Sequence, residues 1–137
     1  MRVAIVDDSL DIQSSLKRLL VALPGVQVVG CAEDVAGALA MIEACRPDIV
    51  VLDVGLHGRD RGIDVLRWIV GRHTNIDVIV LSNFGWDAMR EAFLGAGAQA
   101  YFDKALEFDK VCDWVRARMA DLNLPRRVDA PRADLNE

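Results

Sequence analysis

The sequence predicts an α/β domain, (βα)5, whose doubly wound parallel sheet carries helices on both faces. Three observations predict it. Five short runs rich in Val, Ile and Leu alternate strictly with five longer segments of helical period. Three of those runs, Val3–Val6, Ile49–Leu52 and Val78–Leu81, are near-continuously apolar, as parallel strands covered on both faces are. The length of 137 residues, 53% of them hydrophobic, suits one domain with a sizeable core.

Each element has its own signal. The first strand is Arg2–Val6, and Ile12, Leu16, Leu19, Leu20 and Leu23 stripe the helix after it until Pro24-Gly25 stops the run. The second strand is Val26–Gly30, followed by a helix marked by Val35, Ala38, Leu39 and Ile42 that ends before Pro47. Asp48–Leu52 is the third strand, and Ile63, Leu66, Ile69 and Val70 stripe the third helix. Asp77–Leu81 is the fourth, with a weaker stripe of Ala88, Met89, Ala92 and Ala96 behind it. Gln99–Phe102 is the last strand, and Phe108, Val111, Cys112, Val115 and Met119 mark the final helix. Right-handed crossovers and a strand order of 2-1-3-4-5 are the common solution at this length. Residues 1–123 would form the domain, and residues 124–137, with two prolines and no apolar period, a flexible C-terminal tail.

Composition excludes several classes. Sixteen Lys and Arg face 21 Asp and Glu, a net charge of −5, so direct nucleic-acid binding is not expected. Cys31, Cys45 and Cys112 are an odd, scattered set that builds neither a disulfide framework nor a thiolate zinc site. No apolar run is long enough to cross a bilayer and no signal peptide opens the sequence. The expectation is a soluble, cytoplasmic protein without membrane insertion.

In a sheet of this order, ligands bind outside the carboxyl ends of the strands, at the switch in strand order. The residues that follow the strands are therefore the candidates. Strand one ends in Asp7-Asp8, strand three in Asp53, strand four in Ser82, and Lys104 follows strand five. Three carboxylates aimed into one crevice repel one another and should raise at least one pKa. A hard cation such as Mg2+ makes use of such a cluster, since it takes oxygen ligands and keeps several waters. Lys104 adds a compact positive charge and Ser82 a hydroxyl donor. Together they fit the handling of a phosphoryl group by a carboxylate nucleophile. Any one of these residues alone reads as a helix cap or turn former, and Asp8 or Ser9 is expected to cap the first helix. Their joint occurrence at four of five strand ends favours a site.

Asp7-Asp8, Asp53, Ser82 and Lys104, with Tyr101 three residues before the lysine, resemble the receiver domain of two-component response regulators. The resemblance covers about residues 2–122, and the intervals between these residues fit as well. The stretches Leu81-Ser82-Asn83-Phe84 and Gly97 to Lys104 are similar to the family's motifs around its fourth and fifth strands. The resemblance implies a flavodoxin-like fold with Asp53 as phospho-acceptor, supplied by a histidine kinase, a phosphotransfer protein or a small phosphodonor. It implies Mg2+ held by Asp7, Asp8, Asp53 and the Gly55 backbone carbonyl, with Asp7 acting through water. Lys104 would pair with Asp53 and then with the phosphoryl group. Ser82 would move to donate to a phosphoryl oxygen, and Tyr101 would follow it from exposed to buried, a population shift between two states. No enzymatic activity is implied beyond the domain's own phosphorylation and dephosphorylation.

The sequence departs from the family pattern in the loop Asp53 to Gly62. His57 stands where Pro is usual, and Gly62 falls about one residue late. The loss of proline's fixed φ predicts a loop that is more mobile or differently shaped. His57 reads as an exposed loop residue; a sharper alternative puts its imidazole near the phosphoryl group. Gly55 and Phe84 would flank the path of water to an acyl phosphate, with opposing effects on its lifetime.

The sequence ends about one helix after the site, which reads as a stand-alone receiver that signals through protein contacts or relays its phosphoryl group. A downstream protein or a second copy is expected to dock on the face bearing Tyr101 and Trp114: Trp114 falls off the apolar stripe of the last helix, Trp is enriched in interface hot spots, and the resemblance implies that the face of the fourth helix, fifth strand and fifth helix is the switch-coupled surface. Trp68 is similarly off its stripe; for both, edge packing under Arg stems is the simpler reading. Neither His73 nor Trp86 shows a role beyond packing or loop chemistry. The main alternative is a receiver-like interaction module that is never phosphorylated. An aspartyl phosphatase would want an acid at position 9, where Ser9 stands, and a flavin-binding relative would find Asp7-Asp8 repelling its phosphate.

Overall fold

The computed structural model describes residues 1–73, 75–83 and 87–123. Phe84, Trp86 and the expected tail at 124–137 lie outside the described residues. The elements run β1 (Arg2–Val6), α1 (Leu10–Val21), β2 (Gln27–Ala32), α2 (Val35–Cys45) and β3 (Ile49–Leu52). They continue as α3 (Gly62–Arg72), β4 (Asp77–Ser82), α4 (Asp87–Gly95), β5 (Ala100–Asp103) and α5 (Lys110–Asn123). The sheet order is β2-β1-β3-β4-β5, and every neighbouring pair is parallel. This is the doubly wound arrangement that the alternation predicts.

The two faces of the sheet explain the continuous apolar runs. Along β1, Ala4 and Val6 point into a core closed by Ala38 and Ile42 of α2, Leu66 and Ile69 of α3, and Phe93 of α4. Val3 and Ile5 point the other way, against Leu16 and Leu20 of α1 and Val111 and Val115 of α5. Both sides of the central strands β1, β3 and β4 are dry, so alternation of polar and apolar residues disappears there.

Local chemistry sets the ends of the helices. Ser9 caps α1, its hydroxyl accepting from the Ile12 N–H at 3.2 Å, and Asp34 caps α2 by accepting from Gly37 at 2.7 Å. Before β5, the Gln99 side chain takes over the work of the ladder. Its Oε1 accepts from the Val78 N–H at 2.6 Å, while the Gln99 backbone N–H donates to the Val78 carbonyl at 2.9 Å.

Some expected stripe residues are not in the core. Leu19 and Val70 are exposed at 41% and 42%. The face of α3 that meets the sheet centres on Val65, Leu66 and Ile69, which turns Val70 to its edge. On α4 the alanine stripe is displaced as well: Ala88 and Ala92 are exposed, and the ring of Phe93 fills the space beneath. A single large ring outweighs several small side chains in buried area.

Trp68 is half-buried against the α2/α3/α4 core, with the Arg72 guanidinium 5.6 Å from its ring centre and His73 packed at 5.1 Å. Edge packing under an Arg stem accounts for it. His73 also bonds Glu43 of α2 at 2.8 Å, a tie between α2 and α3.

Candidate functional site

The backbones of Asp7, Asp53 and Lys104 extend the ladder. The Asp7 N–H donates to the Ala32 carbonyl at 3.0 Å, Asp53 to Val6 at 2.9 Å, and Lys104 to Ser82 at 2.9 Å. Gln13 of α1 adds a bond from its side-chain amide to the Asp7 carbonyl at 2.6 Å. The crevice is therefore lined by residues whose main chain has little freedom, which is what pre-organisation requires.

Asp7, Asp8 and Asp53 each place a carboxylate oxygen within 4.8 Å of the others. Asp7 and Asp53 are buried, and Asp8 is exposed. Lys104 Nζ lies 2.8 Å from Asp7 Oδ2 and 3.0 Å from Asp53 Oδ2, and its side chain is only 8% exposed. Each buried carboxylate is also gripped on its other oxygen: the Ser9 N–H donates to Asp7 Oδ1 at 2.9 Å, and the Val54 N–H to Asp53 Oδ1 at 2.7 Å.

Burial pushes the Asp53 carboxyl above its ordinary value, and the charge of Asp7 adds to the rise while Lys104 opposes it. For Lys104, burial alone would lower the pKa; the bonds and charges of Asp7 and Asp53 more than reverse that, and the net direction is up. A cation beside two carboxylates leaves one net negative charge among those three groups, and Asp8 adds another. Oxygen donors of this kind, one exposed and two anchored, suit a hard divalent cation.

Ser82 and Tyr101 form the second part of the site. Ser82 is fully buried, and Tyr101 is 3% exposed, with its phenol hydrogen-bonded to the Ser82 side chain. Burial raises the pKa of the phenol above its ordinary value, against the bond from Ser82. The Phe93 ring packs at 6.0 Å, and Arg90 of α4 donates to the Tyr101 carbonyl at 2.8 Å. Tyr101 thus stands at the buried end of the movement that the family resemblance implies. Arg90 was not legible as a site-supporting residue, since an Arg on the polar side of a helix carries no distinguishing signal.

The loop after Asp53 has its own shape. Gly55 and Arg61 form an isolated antiparallel bridge, and Gly62 N–H donates to the Val54 carbonyl at 2.7 Å. Gly58 takes a φ of 70° in the turn that His57 and Asp60 close. At Gly62 a Cβ would collide with the Asp53 carbonyl oxygen, so only glycine allows α3 to start so close to Asp53. His57 is exposed and its N–H donates to the Glu33 carbonyl at 2.9 Å. Asp60 reaches the start of α2, accepting from the Val35 N–H at 2.8 Å. These two bonds tie the loop to the start of α2.

Trp114 is half-buried against the α1/α5 core, near Asp77 and Gln99 at the amino ends of β4 and β5. That is the end of the sheet away from the carboxylates.

A parallel sheet with an acidic crevice, an inserted lysine and a buried hydroxyl pair defines a phosphoryl-accepting signalling module. The family described as response regulator receiver domain matches residues 3–116, and the chain belongs to that family. It is 38% identical to the DNA-binding transcriptional activator DevR/DosR of Mycobacterium tuberculosis, over 78% of this chain and 49% of the relative. It is 36% identical to a protein-glutamate methylesterase/protein-glutamine glutaminase of Pyrococcus abyssi, over 81% of this chain and 27% of the relative. The chain therefore spans at most about half the length of these relatives.

Among solved structures, the response regulator domain of Thermotoga maritima CheB matches with a TM-score of 0.76 and 26% identity, covering 91% of this chain and 98% of that one. A chain of the CheX-CheY-BeF3-Mg complex of Borrelia burgdorferi matches at 0.78 with 28% identity, covering 87% and 89%. Receiver domains of this family bind Mg2+ at acidic residues. Among the described residues, no helix is long and apolar enough to cross a membrane.

Proposed function

We propose that this chain is a phosphorylatable switch in which Asp53 accepts a phosphoryl group from a histidine kinase, a phosphotransfer protein or a small phosphodonor. One observation carries the reading: Lys104 is inserted between Asp7 and Asp53 within a cluster of three carboxylates. A carboxylate oxygen of Asp53 attacks phosphorus, an acyl-phosphate bond forms, and the bond to the donor's nitrogen or oxygen breaks with its electron pair leaving on the donor. Asp7, Asp8, Asp53 and the Gly55 carbonyl would hold Mg2+, with Asp7 acting through water. Bound there, the ion neutralises charge on the phosphoryl oxygens.

Lys104 opposes the rise that burial and Asp7 impose on the Asp53 pKa, and it turns to the new phosphoryl oxygens. Ser82 donates to one of them, and the buried Tyr101 ring holds the space behind it. The phosphorylated state signals through protein contacts, to a downstream target or a second copy, on the face that bears Tyr101 and Trp114. The cytoplasm is its proposed location, as kinase-linked phosphorelays require.

Intact mass after incubation with acetyl phosphate tests the reading, with and without Mg2+, on the wild type and on Asp53→Asn. A Mg2+-dependent gain of one phosphoryl group, absent from the variant, is the expected result. No gain, with beryllofluoride leaving Ser82 and Tyr101 unperturbed, would replace it with an unphosphorylated interaction module.

A further inference from the structure

A hollow of about 260 Å³ opens between α3 and α4. Its lining is apolar below, with Val54, Ile63, Met89 and Phe93, and the exposed Ala92 stands at one edge. Its remaining residues are two exposed cations, Arg61 and Arg67. Arg61 is paired with Asp64 at 3.3 Å, whereas among the described residues no carboxylate pairs with Arg67. On a chain of net charge −5, Arg67 stands beside an apolar hollow as a cation with no carboxylate partner among the described residues.

The lining also touches the switch from behind. The Val54 N–H is the donor to Asp53 Oδ1 at 2.7 Å, and the Phe93 ring packs against Tyr101 at 6.0 Å. Whatever fills the hollow presses on one residue bonded to the acceptor and on another in contact with the switch tyrosine.

We propose that this α3–α4 groove is a docking site for an acidic segment of a partner protein. One apolar side chain enters the hollow, and carboxylates flanking it meet Arg67 and Arg61. The size argues for a single anchor, since sites for whole small molecules begin at about 300 Å³. The charge argues for acidic flanks, because complementary rims select partners and orient them. An apolar anchor surrounded by charge is a common arrangement of energetic hot spots. Nucleic acid fits poorly, because two arginines on an acidic chain cannot offset its phosphates.

Docking itself needs no phosphorylation. Its influence on the switch, through Val54 and Phe93, rests on the proposed function of Asp53, so the two readings fail separately.

The test is a titration of the 15N-labelled chain with a blocked pentapeptide carrying one Phe flanked by Glu, followed by amide shifts. Saturable shifts concentrated at Val54, Ile63, Arg67, Met89 and Phe93 are expected. Arg67→Glu should weaken binding about tenfold by exchanging attraction for repulsion at the rim. Ala92→Trp, which fills the groove from an exposed position, should abolish it. Both changes are at exposed residues, and the melting temperature of each variant checks its fold. The same peptide with Lys in place of Glu should leave the amides unmoved.

Shifts elsewhere on the molecule, no binding, or equal binding of the two peptides would overturn the proposal. So would concentration-dependent shifts of the same amides without peptide, which would make a second copy of the chain the occupant.

Discussion

Lys104 Nζ lies closer to Asp7 Oδ2, at 2.8 Å, than to Asp53 Oδ2, at 3.0 Å. The lysine is thus a strut between strands as well as a partner of Asp53. Asp7 comes from the end of β1, Asp53 from the end of β3 and Lys104 from beyond β5, so one ammonium ties three parts of the sheet edge together.

Removing that strut should be costly. Lys104→Met leaves two buried carboxylates facing each other and should destabilise the metal-free protein by about 3 kcal/mol, the scale of a broken buried pair. Mg2+ should restore part of the loss, because a ligand of the folded state stabilises it. Urea unfolding in chelator and in Mg2+ checks both; a variant as stable as wild type in chelator would contradict the role of the lysine.

Asp53 predicts a pH dependence. The Asp53 pKa is raised by burial, by Asp7 and against Lys104, so the folded chain binds this proton more tightly than the unfolded chain does. Between the unfolded value and the raised folded value, the contribution of Asp53 to stability falls as pH rises. Asp53→Asn should flatten that part of the stability profile in chelator and leave the protein more stable than wild type at neutral pH. Denaturant midpoints across mildly acidic to neutral pH measure it.

Tyr101 is the only tyrosine in the chain, which makes its ionisation directly visible. Its phenol should titrate above the ordinary tyrosine range in the folded protein and within that range in denaturant. By the same linkage, the native state should lose stability as pH climbs through the ordinary range toward the raised one. Ultraviolet difference titration of folded and denatured protein compares the two, and coincident curves would place the ring in solvent.

Gly62 should tolerate no side chain. Gly62→Ala would drive its Cβ into the Asp53 carbonyl oxygen, and backbone must move to admit it. A loss of about 3 kcal/mol is expected, in the upper range for overpacked positions, and, if Asp53 accepts phosphoryl as proposed, slower phosphorylation, because the moving backbone carries Asp53. Denaturation and the acetyl phosphate reaction report the two effects independently.

Asp60 should behave as a brace of α2. Asp60→Ala removes the acceptor for the Val35 N–H and should cost about 1 kcal/mol, as lost helix-end bonds do. A matched loss in hydrogen-exchange protection at the Val35 amide would confirm the origin of the change.

The amino-acid sequence alone determined the order of elements, the parallel sheet and the strand ends from which Asp7, Asp8, Asp53, Ser82 and Lys104 emerge. Those features follow from period and alternation, which are local, and from handedness rules that leave few topologies. Only the tertiary structure decided which carboxylate Lys104 approaches most closely, that Tyr101 lies inside against Ser82, and that Asp60 reaches across to α2. It also decided the packing of α4, where Phe93 rather than the alanine stripe fills the core. Such pairings join residues far apart in the chain, and distance and burial between them arise only when the sheet edge has closed.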